Sequence, residues 1–98
     1  MNGWLYLLRP VRPAMVDDPT EAEQAVLGEH LAHLQRLRDG GRLIVAGPSF
    51  AGADTFGLVV LSIADKGEAR AAMEADPAVK GGMLTAELRP LRLSVVRD

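Results

Sequence analysis

GEHLAHLQRLRDGGRLIVAGP, residues 28–48, carries in succession a leucine periodicity, a glycine pair and an apolar run. At about 100° of rotation per residue, Val26, Leu27, Leu31, Leu34 and Leu37 fall on one contiguous arc, which predicts an amphipathic helix. The helix should stop at Asp39-Gly40-Gly41, because glycine supplies the left-handed conformation that commonly ends helices. RLIVAG, residues 42–47, then reads as a strand. His30 projects inside the leucine arc and His33 lies near its edge, so an ionisable ring stands where an aliphatic side chain would serve packing better.

Working outward from this stretch gives the rest of the fold. Upstream, residues 3–9 are apolar on both alternating faces, include Trp4 and Tyr6, and stop at Pro10, as a strand does. Asp18 or Thr20 can cap the helix that follows, with Pro19 suited to a first helical position and Thr20 and Glu23 spaced as a capping box. Downstream, the turn-rich PSFAGADT separates RLIVAG from FGLVVLSI, residues 56–63, which predicts a hairpin with a wide loop that is itself a candidate functional element. Asp65 and Glu68 open a second, alanine-rich helix that should end or bend at Asp76, since proline at 77 disfavours helical geometry in the residue before it. Gly81 and Gly82 let the chain turn into a last strand from Leu84. Its alternation changes parity around Pro90, which predicts an edge strand with a bulge or kink there.

The order β-α-β-β-α-β is the split βαβ arrangement, α+β and ferredoxin-like, with both helices on one face of an antiparallel sheet. Neither parity of the first and third strands is polar: Trp4, Tyr6 and Leu8 oppose Leu5 and Leu7 in one, Leu58 and Val60 oppose Val59, Leu61 and Ile63 in the other. Two helices cannot cover both faces, so a homodimer of face-packed sheets, a dimeric α+β barrel, is expected.

A chain of 98 residues fits one domain, 1–98, with a modest core, and 48% hydrophobic with 24% charged residues is the balance of a globular chain. Only the extreme termini are expected to be free. A net charge of -2 gives no basic excess to attract phosphate or anionic lipid, so neither nucleic acid nor membrane is expected as a partner. The absence of cysteine excludes disulfides, thiolate catalysis and cysteine-held metals. The apolar run at the N-terminus has no basic residue before it and is too short to span a bilayer, and a cytoplasmic address agrees with all of this.

His30 has two readings. One is a core histidine satisfied by a single hydrogen bond; the other is a general acid/base, since imidazole exchanges protons near neutrality. His30 and His33 are three apart, without the HExxH spacing or a compact carboxylate motif, so no metal is expected. The glycine pair at 81–82 is not a phosphate loop, and no nucleotide or other cofactor is expected. Arg36, Arg38 and Arg42 gather near the end of the helix, where cations favour its dipole, and read as solvated or capping residues.

HLAHLQRLRDGGRLIVAGP, followed by a glycine-containing hairpin, EARAAMEADPAVKGGM and a last strand with LRP, resembles the YciI-like (YCII-related) family over nearly the whole chain. The resemblance implies a dimeric α+β barrel with a histidine and an aspartate paired in a cleft beside the sheet. They fall on His30 and Asp76 as catalytic residues, with Ser49 after the AGP turn as a substrate-binding residue. It also implies relatives of muconolactone isomerase and dehydrochlorinase type that act on small cyclic substrates. The expected function is therefore cofactor-independent proton transfer, isomerisation or elimination, on a small cyclic or phenolic molecule. The alternatives are a dimeric binding module without catalysis, or a monooxygenase, cofactor-free or haem-related, of the same fold.

Overall fold

In the computed structural model, which describes residues 2–97, the first strand is flanked on both sides by later ones. β1 (Asn2–Pro10) lies between β3 (Phe56–Leu61) and β4 (Leu84–Arg92), and β2 (Leu43–Ser49) completes the sheet in the order β2-β3-β1-β4, all antiparallel. This is the ferredoxin-like α+β order. The expectation of free extreme termini falls on Met1 and Asp98, outside the described residues.

Period-two alternation in β1 decides which face is packed. Tyr6 and Leu8 are buried on the same side as their cross-strand partners Val59, Leu88 and Ala86, and they form the core with Leu34, Leu37, Met73 and Ala78 from the helices. On the other side Leu5 and Leu7 face Val60 and Leu58 across β3, and Arg89 and Glu87 across β4. No helix covers that face among the described residues.

α1 (Glu21–Asp39) begins at Thr20, whose side chain accepts from the Glu23 amide at 3.1 Å while Glu23 Oε1 accepts from the Thr20 amide at 2.9 Å. Thr20, rather than Asp18, is thus the cap. The Arg12 guanidinium bonds Glu23 and the Asp18 carbonyl, and holds the Glu23 carboxyl down to about 2. This clasp ties the segment before α1, including a 3-10 turn at Pro13–Val16 that reads as plain loop in sequence, over the edge of the core, where Met15 is buried. α1 ends at Gly40, and Gly41 takes the left-handed conformation at φ 73°.

Two expectations need correction, and a third, that the second helix ends or bends at Asp76, holds with an addition. The second helix is two: α2 (Lys66–Glu74), capped by Asp65, is followed by a one-turn α3 (Pro77–Lys80) whose N-cap is Asp76. The Asp-Pro pair therefore starts a helix as well as stopping one, because proline is well suited to the first helical position. β4 also pairs with β1 without a register shift from Asn2↔Arg92 to Pro10↔Leu84, so Pro90 makes no bulge. An edge strand leaves every second N–H without a sheet partner, so a missing one is tolerated. The sheet's irregularity lies instead in β2, between Leu43 and Val45. Finally, Leu31 is not core: it is 55% exposed, whereas His33 is buried.

Candidate functional site

Asp76 is the centre of the site, and local chain geometry puts it there. As N-cap of α3 its Oδ1 accepts the Ala78 amide at 3.0 Å, which turns the carboxylate inward. Its Oδ2 accepts the hydroxyl of Tyr6, from β1, at 2.9 Å. From α1, His30 Nδ1 lies 2.7 Å from Oδ1 and 2.8 Å from Oδ2. Three groups, from positions 6, 30 and 78, thus converge on one carboxylate that is 0% exposed. Burial by itself pushes that carboxyl up. The His30 hydrogen bond and charge, the Tyr6 hydroxyl and the Ala78 amide outweigh it and hold the group below the ordinary carboxylate value, so Asp76 is ionised at neutral pH.

An ionised carboxylate only accepts hydrogen bonds, which fixes the tautomer of its partner. His30 carries a hydrogen on Nδ1 and donates it to Asp76. Tyr6 is likewise a donor at all working pH: burial, and then the charge and hydrogen bond of Asp76, raise its phenol far above the ordinary tyrosine value. Among the described residues, no buried side-chain nitrogen or oxygen lacks a partner.

His30 also forms part of the wall of a cavity of about 700 Å³ between α1, the sheet and the segment before α1. Most of that wall is apolar, including Leu27, Leu34 and Phe56, and Met15 and Pro19 close it from the α1 lead-in. At its mouth Leu31, Ile44, Val45 and Phe50 are exposed, which explains why a leucine in the helical arc of α1 is not packed. Gln35, Arg38 and Thr55 are its other polar contributors. Thr55 is engaged in its own loop, accepting from the Ala51 amide at 3.0 Å and donating to the Gly52 carbonyl at 2.8 Å. Arg38 pairs with Asp39 at the surface.

The structure brings His30 and Asp76 together and leaves Ser49 apart. Ser49 is exposed at the end of β2, and its neighbours Pro48 and Phe50, not Ser49 itself, line the cavity. His33 takes the bland role: buried, it donates from Nε2 to the Ala72 carbonyl at 2.9 Å. That carbonyl lies in the last turn of α2, where the Ala75 and Asp76 amides turn to Ala71 and Met73, so His33 satisfies an acceptor the helix end leaves over. Tyr6 is the participant that the sequence does not announce. A tyrosine inside a buried strand is a sign of a hydroxyl needing a partner, but that partner lies 70 residues away. Among the described residues no group of three or more His, Asp or Glu side chains could hold a metal ion, and no helix is long and apolar enough to cross a membrane.

A family model described as the YCII-related domain matches residues 5–91. A search of curated proteins gives no match. Among solved structures, the chain is similar to 5-chloro-2-hydroxyhydroquinone dehydrochlorinase from Burkholderia phenoliruptrix in complex with 2,5-dihydroxybenzoquinone. That similarity has a TM-score of 0.61, 22% identity and 91% coverage of each chain. It is also similar to a protein of unknown function from Nitrosomonas europaea, with a TM-score of 0.52, 17% identity and coverage of 98% of this chain and 92% of the other. At such identities the two structures speak to the shared fold alone.

Proposed function

The chain belongs to the YCII-related family, and from that membership we propose a small cofactor-independent enzyme that moves a proton on a small cyclic or phenolic substrate. The observation that carries the reading is the double position of His30, whose Nδ1 sits on a buried carboxylate while the ring lines an otherwise mainly apolar cavity. With Nδ1–H held by Asp76, Nε2 is the nitrogen left to act as base. It takes a proton from the substrate. In an isomerisation the imidazolium returns that proton to another substrate atom. In an elimination the freed electron pair expels the leaving group as an anion, and the imidazolium later gives its proton to water. Asp76 stabilises the imidazolium throughout and is not itself protonated. The ring-shaped ligand named with the Burkholderia dehydrochlorinase supports a small oxygenated ring as the substrate class.

The reading includes a homodimer, supported by the half-buried apolar residues Leu5, Leu7 and Leu58 on the sheet face turned away from the helical core, and a cytoplasmic location. Sedimentation at micromolar concentration should give twice the monomer mass; a well-folded monomer removes the dimer from the proposal. The test of chemistry is a panel of small lactones and chlorinated phenols or quinols, offered to the wild type and to His30→Ala. Turnover by the wild type that His30→Ala abolishes supports the reading. Saturable binding without turnover would replace it with a ligand-binding module.

A further inference from the structure

Tyr6 is fully buried and does not line the cavity; its hydroxyl meets the carboxylate on the oxygen opposite the one held by the α3 amide. We propose that Tyr6 is a positioning residue that sets the basicity of His30 through Asp76. The inference deepens the acid/base reading of His30 and rests on it.

The physical argument is a division of negative charge. A carboxylate that accepts two strong donors besides the histidine spreads its charge over three hydrogen bonds, so it holds an imidazolium less tightly than a bare carboxylate would. The Ala78 amide is a fixture of helix capping. The phenol is the donor whose strength side-chain chemistry can alter. Removing it should concentrate charge on Asp76 and strengthen its hold on the His30 proton. The ring would then become easier to charge and slower to give its proton up. The groups that meet the pair are Tyr6 from β1, His30 from α1 and the Ala78 amide from α3. Among the described residues no other ionisable side chain hydrogen-bonds or ion-pairs with His30 or Asp76.

The chain has one tyrosine and two histidines, which makes the test clean. The imidazole ring signals of ¹³C,¹⁵N-histidine-labelled protein are followed by NMR through a pH titration. The wild type, Tyr6→Phe, Asp76→Asn and protein grown on 3-fluorotyrosine are compared, with His33 as internal reference and as evidence of folding. Fluorination acidifies the phenol, strengthens its donation and alters position 6 alone. Tyr6→Phe should raise the His30 midpoint by about half a pH unit or more, fluorotyrosine should lower it, and Asp76→Asn should lower it further. The His33 midpoint should stay put in all four. If Asp76→Asn moves His30 while neither tyrosine change does, the pair stands and the role of Tyr6 is overturned. If none of the three moves His30, the acid/base reading falls with it.

Discussion

His30 and His33 stand one turn apart on the same helix and use opposite nitrogens. His30 donates from Nδ1 to a buried carboxylate and lines the cavity; His33 donates from Nε2 to the Ala72 carbonyl and is enclosed by the core. A neutral carbonyl satisfies a ring without setting a charge beside it, whereas a carboxylate stabilises the charged form of the ring. The pair teaches that burial alone does not separate a structural histidine from a candidate base. The acceptor does, together with whether the second nitrogen has somewhere to work.

The largest effect should separate the two in rate. His30→Ala should lower any turnover by about 10²–10⁴-fold, while His33→Ala should leave turnover per folded molecule near the wild-type value; equal losses would erase the distinction. Stability supplies the scale for the rest. Leu34→Ala, a core truncation, should cost about 2–5 kcal/mol by chemical denaturation. His33→Leu should cost less, about 1–3 kcal/mol, because it leaves the Ala72 carbonyl buried without its donor.

Coupling sharpens the comparison further. His30→Leu alone strands the Asp76 carboxylate, so combining it with Asp76→Asn should cost less than the sum of the single changes, by about 0.5–3 kcal/mol. His33 shares no hydrogen-bond partner with Asp76, and His33→Leu with Asp76→Asn should be additive within about 0.5 kcal/mol. The smallest effect near neutrality is that of pH. Asp76 and Glu23 both have folded values below the ordinary carboxylate range. Their contribution should be fully present above the unfolded value of about 4 and be lost as pH falls through the folded ones. Asp76→Asn should flatten the Asp76 part of that acid slope, measured as denaturation midpoint against pH.

Much of this architecture is legible in the chain because it is written in repetition. The leucine spacing of α1, the apolar runs of β1 and β3 and the glycine stops each repeat or punctuate a period, and they give the element order without reference to anything distant. What escapes has no period. The single turns at Pro13–Val16 and Pro77–Lys80 are too short to show one. Leu31 is misplaced for a different reason: periodicity says which residues share a face, but not that the sheet opposite Leu31 recedes into a cavity. The Asp76 and Tyr6 contact is hidden by the 70 residues between them. Ser49 shows the converse, a position suggested by family likeness alone that the β2 end turns outward.

The Asp-Pro joint between α2 and α3 carries two duties on one side chain, since Oδ1 of Asp76 caps a helix while the same carboxylate orients His30. Selection on the joint is therefore redundant with selection on the chemistry. On the proposed chemistry, a descendant that gave up proton transfer would be free to replace His30, yet the helix start would still favour aspartate before proline. Across a lineage, the aspartate would then record the persistence of the scaffold and the histidine that of the proposed reaction, so only the loss of the histidine would date a loss of that chemistry.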